Sequence, residues 1–332
     1  MINEVLFYRS DSFDPFFNQA VEIYLLEHVK PSQIAFYLWQ NERTVLLGRN
    51  QDAARESSYE LLESEGGYLS RRHSGGGAVF YDVANLNFTF LAHSADFDVR
   101  RQAMVIVRAL ENMGLHAELS GRNDITIDGY KFSGNAYYKD GDRQYHHGTL
   151  MVDVDTEAMA RYLKPSKKKL ASKGVSSVRS RVGNLIQFKP DITIDELVTS
   201  LRQAVEQEYQ APTRDLTLAD FDAEELEKNR QFFTDDKWRY GVNIAANYTM
   251  EERYNWGEVQ IRLDVKNEEI ENAQVLSDAN DSGYIRDVES ALKGVVWRAE
   301  AIRSAIEAVP VAEGSANAQV GKDIADLIVA NM

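Results

Sequence analysis

The sequence predicts an α+β protein: a large domain of mixed, mostly antiparallel sheet with flanking helices, followed by a small α+β C-terminal domain. Three observations carry this reading. Asp128-Gly129 separates Ile125-Thr126-Ile127 from Tyr130-Lys131-Phe132, the strongest short hairpin signal a sequence offers. Apolar residues recur at helical spacing from Asp14 to His28 and from Arg100 to Gly114, which supplies the flanking helices. Late in the chain a fresh alternation begins with Val259, Ile261, Leu263 and Val265, which sets off the small domain. At 332 residues two domains are expected, residues 1–247 and 257–332, joined by a linker at 248–256.

Taken in order, Phe16, Phe17, Ala20, Val21, Tyr24 and Leu25 form the stripe of a first helix, with Asp14 placed to cap it and Pro31 beyond its end. Residues 34–39 and 44–47 bracket Asn41-Glu42-Arg43 and are expected to pair as a hairpin. Helical spacing returns from Ser57 to Gly66, and then in the stripe Ala103, Ile106, Val107, Leu110 and Met113, which reads as core. Between them Leu86, Phe88 and Phe90 alternate with Asn87, Thr89 and Leu91, a half-buried strand. After the Asp128-Gly129 hairpin, residues 145–152 read as a further strand, and 194–209 and 223–233 as helices. In the small domain the turn Lys266-Asn267-Glu268-Glu269 leads to a second strand through Ile270, Ala273 and Val275, followed by helical stretches at 285–308 and 322–332.

Composition removes several kinds of function. A hydrophobic content of 44% with 6 prolines describes a chain able to bury a core. The formal net charge of -15 argues against general nucleic-acid binding, because neutralising phosphates needs locally dominant positive charge. There are no cysteines, so disulfides, thiolate metal sites and thiol nucleophiles are excluded. The opening Met1-Ile2-Asn3-Glu4 lacks a basic region followed by an apolar core, and no apolar run approaches the roughly 18 residues of a membrane span. A cytoplasmic protein without a membrane partner is expected. Neither a Gly-x-x-x-x-Gly-Lys-Ser/Thr loop nor Gly-x-Gly-x-x-Gly, His-Glu-x-x-His or Gly-x-Ser-x-Gly occurs. His146 and His147 are adjacent on a strand, point to opposite faces and cannot share a metal.

What remains is chemistry for anions. Arg71-Arg72-His73-Ser74 runs into Gly75-Gly76-Gly77, then Ala78-Val79-Phe80-Tyr81-Asp82. Glycines without Cβ let a ligand approach bare N–H groups, and guanidinium forks suit phosphate or carboxylate. The pattern describes an anion cradle, although three glycines also serve a tight turn. Gly48-Arg49-Asn50-Gln51, at the exit of an apolar strand, is either a second ligand loop or a plain turn. Lys131 faces away from Tyr130 and Phe132, into solvent if the sheet is bare on that side and into a cleft if it is covered. The segment 164–185 holds seven Lys or Arg residues and no acid, so it is either a loop that closes over an anion or a solvated connector.

The blocks Gly48-Arg49-Asn50-Gln51, Arg71 to Asp82, Asn85-Leu86-Asn87-Phe88, Asn123-Asp124, Lys131-Phe132-Ser133-Gly134-Asn135-Ala136, His146-His147-Gly148-Thr149-Leu150 and Lys173 to Leu185 are collinear over about 140 residues. In these blocks the sequence resembles lipoate-protein ligases of the biotin/lipoate ligase superfamily, in the form with a C-terminal accessory domain. The resemblance implies the corresponding ligase-like fold and an ATP-dependent reaction. Lipoate is adenylated with release of pyrophosphate, and the acyl group then passes to a lysine of an acceptor protein. It implies that Lys131 acts as an electrostatic catalyst, reducing the repulsion between carboxylate and α-phosphate. Arg72 and the backbone of Gly75, Gly76, Gly77, Ala78, Val79 and Phe80 would contact the nucleotide, with Arg49 as a phosphate partner. Ser133, Gly134, His147 and Gly148 would line the ligand site, and Asp124 would hold Mg²⁺ beside the substrate phosphates. The basic loop would close over the adenylate, and the small domain would swing between the half-reactions. Expected partners are apo lipoyl domains of 2-oxo acid dehydrogenase complexes and the glycine-cleavage H protein, met by a monomer.

The family commonly has His where this chain has Tyr81, so position 81 receives no implied role. Biotin ligases share the Asn-Asp then Gly-x-Lys layout seen in Asn123-Asp124 and Gly129-Tyr130-Lys131, but their Gly-Arg-Gly-Arg loop is absent, and octanoyl transferases need a cysteine that this chain lacks. Biotin or octanoate ligation, and a non-enzymatic cofactor-binding regulator, are the alternatives.

Overall fold

The computed structural model describes residues 1–120, 124–164, 181–312 and 314–332, with backbone alone at Ser120, Asp124, Arg181 and Val182. The large part begins with β1 (Glu4–Arg9), α1 (Pro15–His28), β2 (Gln33–Trp39), β3 (Thr44–Leu47), α2 (Ala53–Glu56), α3 (Tyr59–Ser64), β4 (Tyr68–Arg71), β5 (Val79–Tyr81), β6 (Asn85–His93) and α4 (Val99–Asn112). It continues with β7 (Glu118–Ser120), β8 (Asp124–Ile127), β9 (Tyr130–Lys131), β10 (Asn135–Asp140), β11 (Arg143–Met151), α5 (Thr156–Tyr162), β12 (Arg181–Val182), α6 (Ile194–Tyr209), β13 (Thr213–Asp215), α7 (Ala223–Thr234) and α8 (Asp236–Tyr240). The small part holds β14 (Tyr248–Tyr254), β15 (Gly257–Lys266), β16 (Glu269–Ser277), α9 (Ser282–Leu292), α10 (Ala299–Glu307) and α11 (Asn317–Val329).

The main sheet runs β10-β11-β6-β2-β1-β13, mixed as expected: β1 lies parallel to β2 and β13, and the β2–β6–β11–β10 side is antiparallel. Both its faces are covered, and strand alternation shows it directly. Ile34, Phe36 and Leu38 of β2 join the core under α4 and α6, whereas Ala35, Tyr37 and Trp39 join the core under α1. Asp14 caps α1 as its position predicts, accepting from the N–H groups of Phe16 and Phe17 with Pro15 in the first turn. The predicted α4 stripe is core: Ala103, Ile106, Val107 and Leu110 are buried against the sheet.

Three expectations are corrected. Residues 34–39 and 44–47 do not pair. β2 lies in the main sheet between β1 and β6, and β3 joins a separate sheet ordered β4-β3-β5. Residues 34–39 and 44–47 are all buried, so each strand has two faces to cover, and a two-stranded hairpin could not cover them. The expected linker at 248–256 is mostly strand: β14 pairs antiparallel with β15 in a three-stranded sheet with β16. The helical stretch expected at 285–308 is two helices separated at Gly294, whose φ of +79° ends the first.

Gly148 shows how tightly the main sheet is packed. A Cβ there would lie 2.5 Å from Asn135 Oδ1 and 2.6 Å from the Phe88 ring on the neighbouring strand. We predict that Gly148→Ala lowers unfolding free energy by about 1–3 kcal/mol, the usual cost of overpacking. Urea titrations superimposing on those of the parent would contradict this.

Candidate active site

The glycine run owes its shape to strand order. Since β4 and β5 flank β3, the chain leaving β4 must cross the end of β3 before returning as β5. Residues 72–78 make that crossing directly over Gly48. A Cβ on Gly48 would sit 2.0 Å from the Gly76 carbonyl oxygen, so only glycine is tolerated there. The two glycine-bearing loops singled out in the sequence are therefore one structure, further tied by the Arg49 N–H donating to the Ser74 carbonyl at 2.9 Å.

Both arginines of the run are buried and serve the loops. Arg72 donates through Nε to Ser74 Oγ at 2.9 Å, through Nη1 to the Leu46 carbonyl at 3.0 Å, and through Nη2 to the carbonyls of Gly75 and Gly77 at 2.7 and 2.8 Å. Its fork thus shapes the bend from inside, a different task from reaching outward to a phosphate. Arg71 Nη1 donates to the carbonyls of Gly48, Arg49 and Gln51 at 3.2, 3.0 and 2.6 Å. Turned inward, these carbonyls leave N–H groups on the other side of the bend. Those of Gly75, Gly77 and Ala78 take no protein partner among the described residues, and Gly76 has the positive φ, +87°, that such a nest requires. Val79 and Phe80 continue into β5.

A buried polar chain anchors the bend to the main sheet. Ser74 Oγ meets His147 Nε2 at 2.9 Å, His147 Nδ1 meets Glu22 Oε1 at 2.9 Å, and the same oxygen accepts from Thr89 Oγ1 at 2.8 Å. Both ring nitrogens of His147 are thus engaged within the protein. Glu22 was not singled out in the sequence, although an acid on the apolar face of α1 is the signal that could have found it. His146 turns the other way, as strand alternation requires, to Gln102 and Asn135. Tyr81 is buried with its ring edge-on to Trp39 at 6.0 Å, and burial pushes its phenol up.

Lys131 ends β9, half-buried between β8 and β12. The stretch after it runs beside β11: the Phe132 carbonyl accepts from Met151 N and the Gly134 carbonyl from Thr149 N, both at 3.0 Å. Gly134 N–H returns a bond to Thr149 Oγ1 at 2.9 Å. Ser133 is buried, its hydroxyl without a partner among the described residues. Lys131, Ser133 and Gly134 therefore hang on the strand that carries His147 to the glycine bend. The side chain of Asp124 and residues 165–180, most of the basic loop, lie outside the described residues.

The small part docks on this site. Gly76 N–H donates to the Ala279 carbonyl at 3.1 Å, Ser282 Oγ to the His73 carbonyl at 2.9 Å, and Asn50 Nδ2 to the Ser282 carbonyl at 3.0 Å. Ion pairs Arg262–Asp52 at 2.8 Å and Arg55–Glu251 at 2.9 Å flank the contact. Sequence patterning could not foresee this apposition, since it joins residues more than 200 positions apart.

Burial, and secondarily the neighbouring His147, pushes the His146 imidazole down to about 3. Its unfolded value is near 6.5, so below that pH the unfolded chain binds a proton that the fold does not, and stability falls with acid. We predict that the stability advantage of the parent over His146→Gln shrinks by about 2–3 kcal/mol between pH 7 and 4.5. A constant difference across urea titrations in that range would refute it.

Residues 14–206 match the Lipoyl protein ligase A/B catalytic domain, and residues 243–328 match the Bacterial lipoate protein ligase C-terminus. The fold is similar to that of Plasmodium falciparum LipL1, solved in complex with lipoate, at 23% identity and a TM-score of 0.86, covering 98% of this chain and 99% of that one. It is also similar to a lipoate-protein ligase A bound with ATP, at 23% identity and TM-score 0.60 over 73% of this chain and 100% of that one. The bipartite lipoate protein ligase of Thermoplasma acidophilum, described with its E2 lipoyl domain, matches at 23% identity and TM-score 0.61 over 75% of this chain and 100% of that one. The crossing glycine bend, the lysine strand tied to the main sheet through β11 and the docked C-terminal unit thus belong to an enzyme of the lipoyl protein ligase A/B family, a lipoate-protein ligase.

Proposed function

We propose that the site carries out an adenylyl transfer followed by an acyl transfer. A lipoate carboxylate oxygen attacks the α-phosphorus of ATP, pyrophosphate leaves, and a mixed anhydride forms. An acceptor lysine amine then attacks the acyl carbon, AMP leaves, and the amine gives up a proton. The observation that best supports this is the nest of N–H groups at Gly75, Gly77 and Ala78 without protein partners among the described residues, suited to an anion. Val79 and Phe80 would wall the nucleotide site, and Arg49 would face its phosphates. The inward Arg72 contributes by holding the nest open, and His147 by fixing Ser74, so both act through the bend. Gly148 serves the sheet packing that sets His147. Ser133 and Gly134 follow Lys131 on the ligand side.

Lys131 supplies the charge that two mutually repelling anions need. Its ammonium lowers the cost of bringing carboxylate to phosphate and then polarises the acyl carbonyl, without becoming a covalent nucleophile. Mg²⁺ would enter with the nucleotide phosphates, with Asp124 as its carboxylate ligand; among the described residues no group of three acidic or histidine side chains forms a cage, and phosphate-borne Mg²⁺ needs none. The ion would supply charge neutralisation at the phosphates. Apo lipoyl domains of 2-oxo acid dehydrogenase complexes and the glycine-cleavage H protein are the acceptors we assign, with the enzyme monomeric and cytoplasmic. Among the described residues no helix is long and apolar enough to cross a membrane.

Intact-mass measurement of an apo lipoyl domain after incubation with enzyme, ATP, Mg²⁺ and lipoate tests the reading, with octanoate and biotin in parallel. Lipoate is expected to give the mass increase of one amide, and transfer of biotin alone would overturn the assignment. Lys131→Ala should fold normally and lose about 10²–10³-fold or more in pyrophosphate release; release at the parent's rate would remove Lys131 from the chemistry. Because Ala279 takes the Gly76 N–H, a phosphate seated there has to displace the C-terminal unit. We therefore expect small-angle scattering to change on adding a lipoyl-adenylate analogue, and superimposable profiles would count against the swing.

A further inference from the structure

The geometry points to Trp238 as a positioning residue for Arg49, a role that rests on Arg49 being the phosphate-facing cation of the proposed adenylation site. Trp238 belongs to α8, in the stretch between the two matched regions at 14–206 and 243–328, so neither family description covers it. Its indole face lies 4.0 Å from the Arg49 guanidinium carbon. Its Nε1–H donates to the Arg71 carbonyl at 2.8 Å, and Arg71 Nε returns a bond to the Trp238 carbonyl at 2.8 Å. Through Arg71 Nη1, the same residue pair grips the carbonyl of Arg49 itself. Side chain and backbone of residue 49 are thus held from one place. Phe232 and His73 pack against the indole at 4.5 and 4.7 Å, so it has little freedom to turn.

The choice of a ring over a carboxylate has a physical consequence. Burial, followed by the charge of Arg286, pushes the Arg49 guanidinium down to about 10, so the cation needs compensation for lost hydration. The Glu289 carboxylate raises it slightly from a distance, but none of the ion pairs among the described residues involves Arg49. A π face offsets part of the desolvation while leaving the charge available, whereas an acid would neutralise it and compete with an incoming phosphate. A tryptophan fixed at both ends can therefore orient a guanidinium without quenching it.

Initial rates of pyrophosphate release at varied ATP test this role. Trp238→Leu should raise the KM for ATP about tenfold, in keeping with a desolvated cation–π contact, with kcat and the KM for lipoate held within about twofold. Trp238→Phe keeps a ring face while losing Nε1–H, and should recover most of the loss. Adding Trp238→Leu to Arg49→Gln should change the KM for ATP little beyond Arg49→Gln alone. Equal defects in the Leu and Phe variants, or additive effects in the double variant, would overturn the positioning role. So would an unchanged KM for ATP in Trp238→Leu when Arg49→Gln raises it. An Arg49→Gln enzyme with the parent's KM for ATP would instead remove Arg49 from the site, and Trp238's role with it. If Trp238→Leu fails to fold, coupling between Trp238→Phe and Arg49→Gln reads the same interaction, and strict additivity there overturns it.

Discussion

The site depends on one topological constraint: a chain that must pass over the end of β3 to get from β4 to β5. Such a crossing has no neighbouring strand to satisfy its peptide groups, and it passes so close over Gly48 that a Cβ there has no room. Glycine at position 48 meets the steric demand, and Arg72 meets the other by collecting inward carbonyls on one guanidinium. The remaining N–H groups then face outward together. The proposed anion site would thus arise from how a strand crossing is satisfied, with a buried cation beneath it adding favourable potential.

That bend is held to the main sheet by groups that are costly to bury singly and stable as a chain. Glu22, His147, Ser74 and Thr89 satisfy one another across α1, the paired strands β6 and β11 and the loop, tying the helix and the loop to the sheet. On the other side, Arg71, Trp238 and the carbonyls at 48–51 form a second set of ties. The loop is therefore fixed from two directions, and preorganisation of this sort is what electrostatic stabilisation of a charged transition state demands. Lys131 stands on a strand hung from β11, so its placement relies on the same sheet.

The C-terminal unit has its own core, with Val259, Ile261, Leu263, Ile285, Val288, Ile302 and Ile324 buried together, while its contact with the large part is polar. A backbone bond from Gly76, a side-chain bond from Asn50 and pairs such as Arg262–Asp52 define that contact. Polar, partly solvated contacts of this kind can be exchanged for others at modest cost, unlike an apolar core. A separate core and an exchangeable interface are what a unit that moves as a body requires.

Much was legible in the sequence because it is local. The α1 and α4 stripes, the Asp14 cap, the 125–132 hairpin, the alternation of β15 and β16, and the collinear motif blocks depend on residues a few positions apart. Strand pairing was less legible, and 34–39 with 44–47 shows why: two fully buried strands in succession satisfy hairpin spacing, yet each needs partners on both edges, supplied by distant chain. The inward turn of Arg72, the engagement of His147 by Glu22 and Ser74, and the pairing of Trp238 with Arg49 were hidden for the same reason. By itself the sequence determined which residue types and which family chemistry are present. Only the tertiary structure decided which of those side chains face a ligand and which shape the loop, because that depends on where distant carbonyls and rings are brought to meet them.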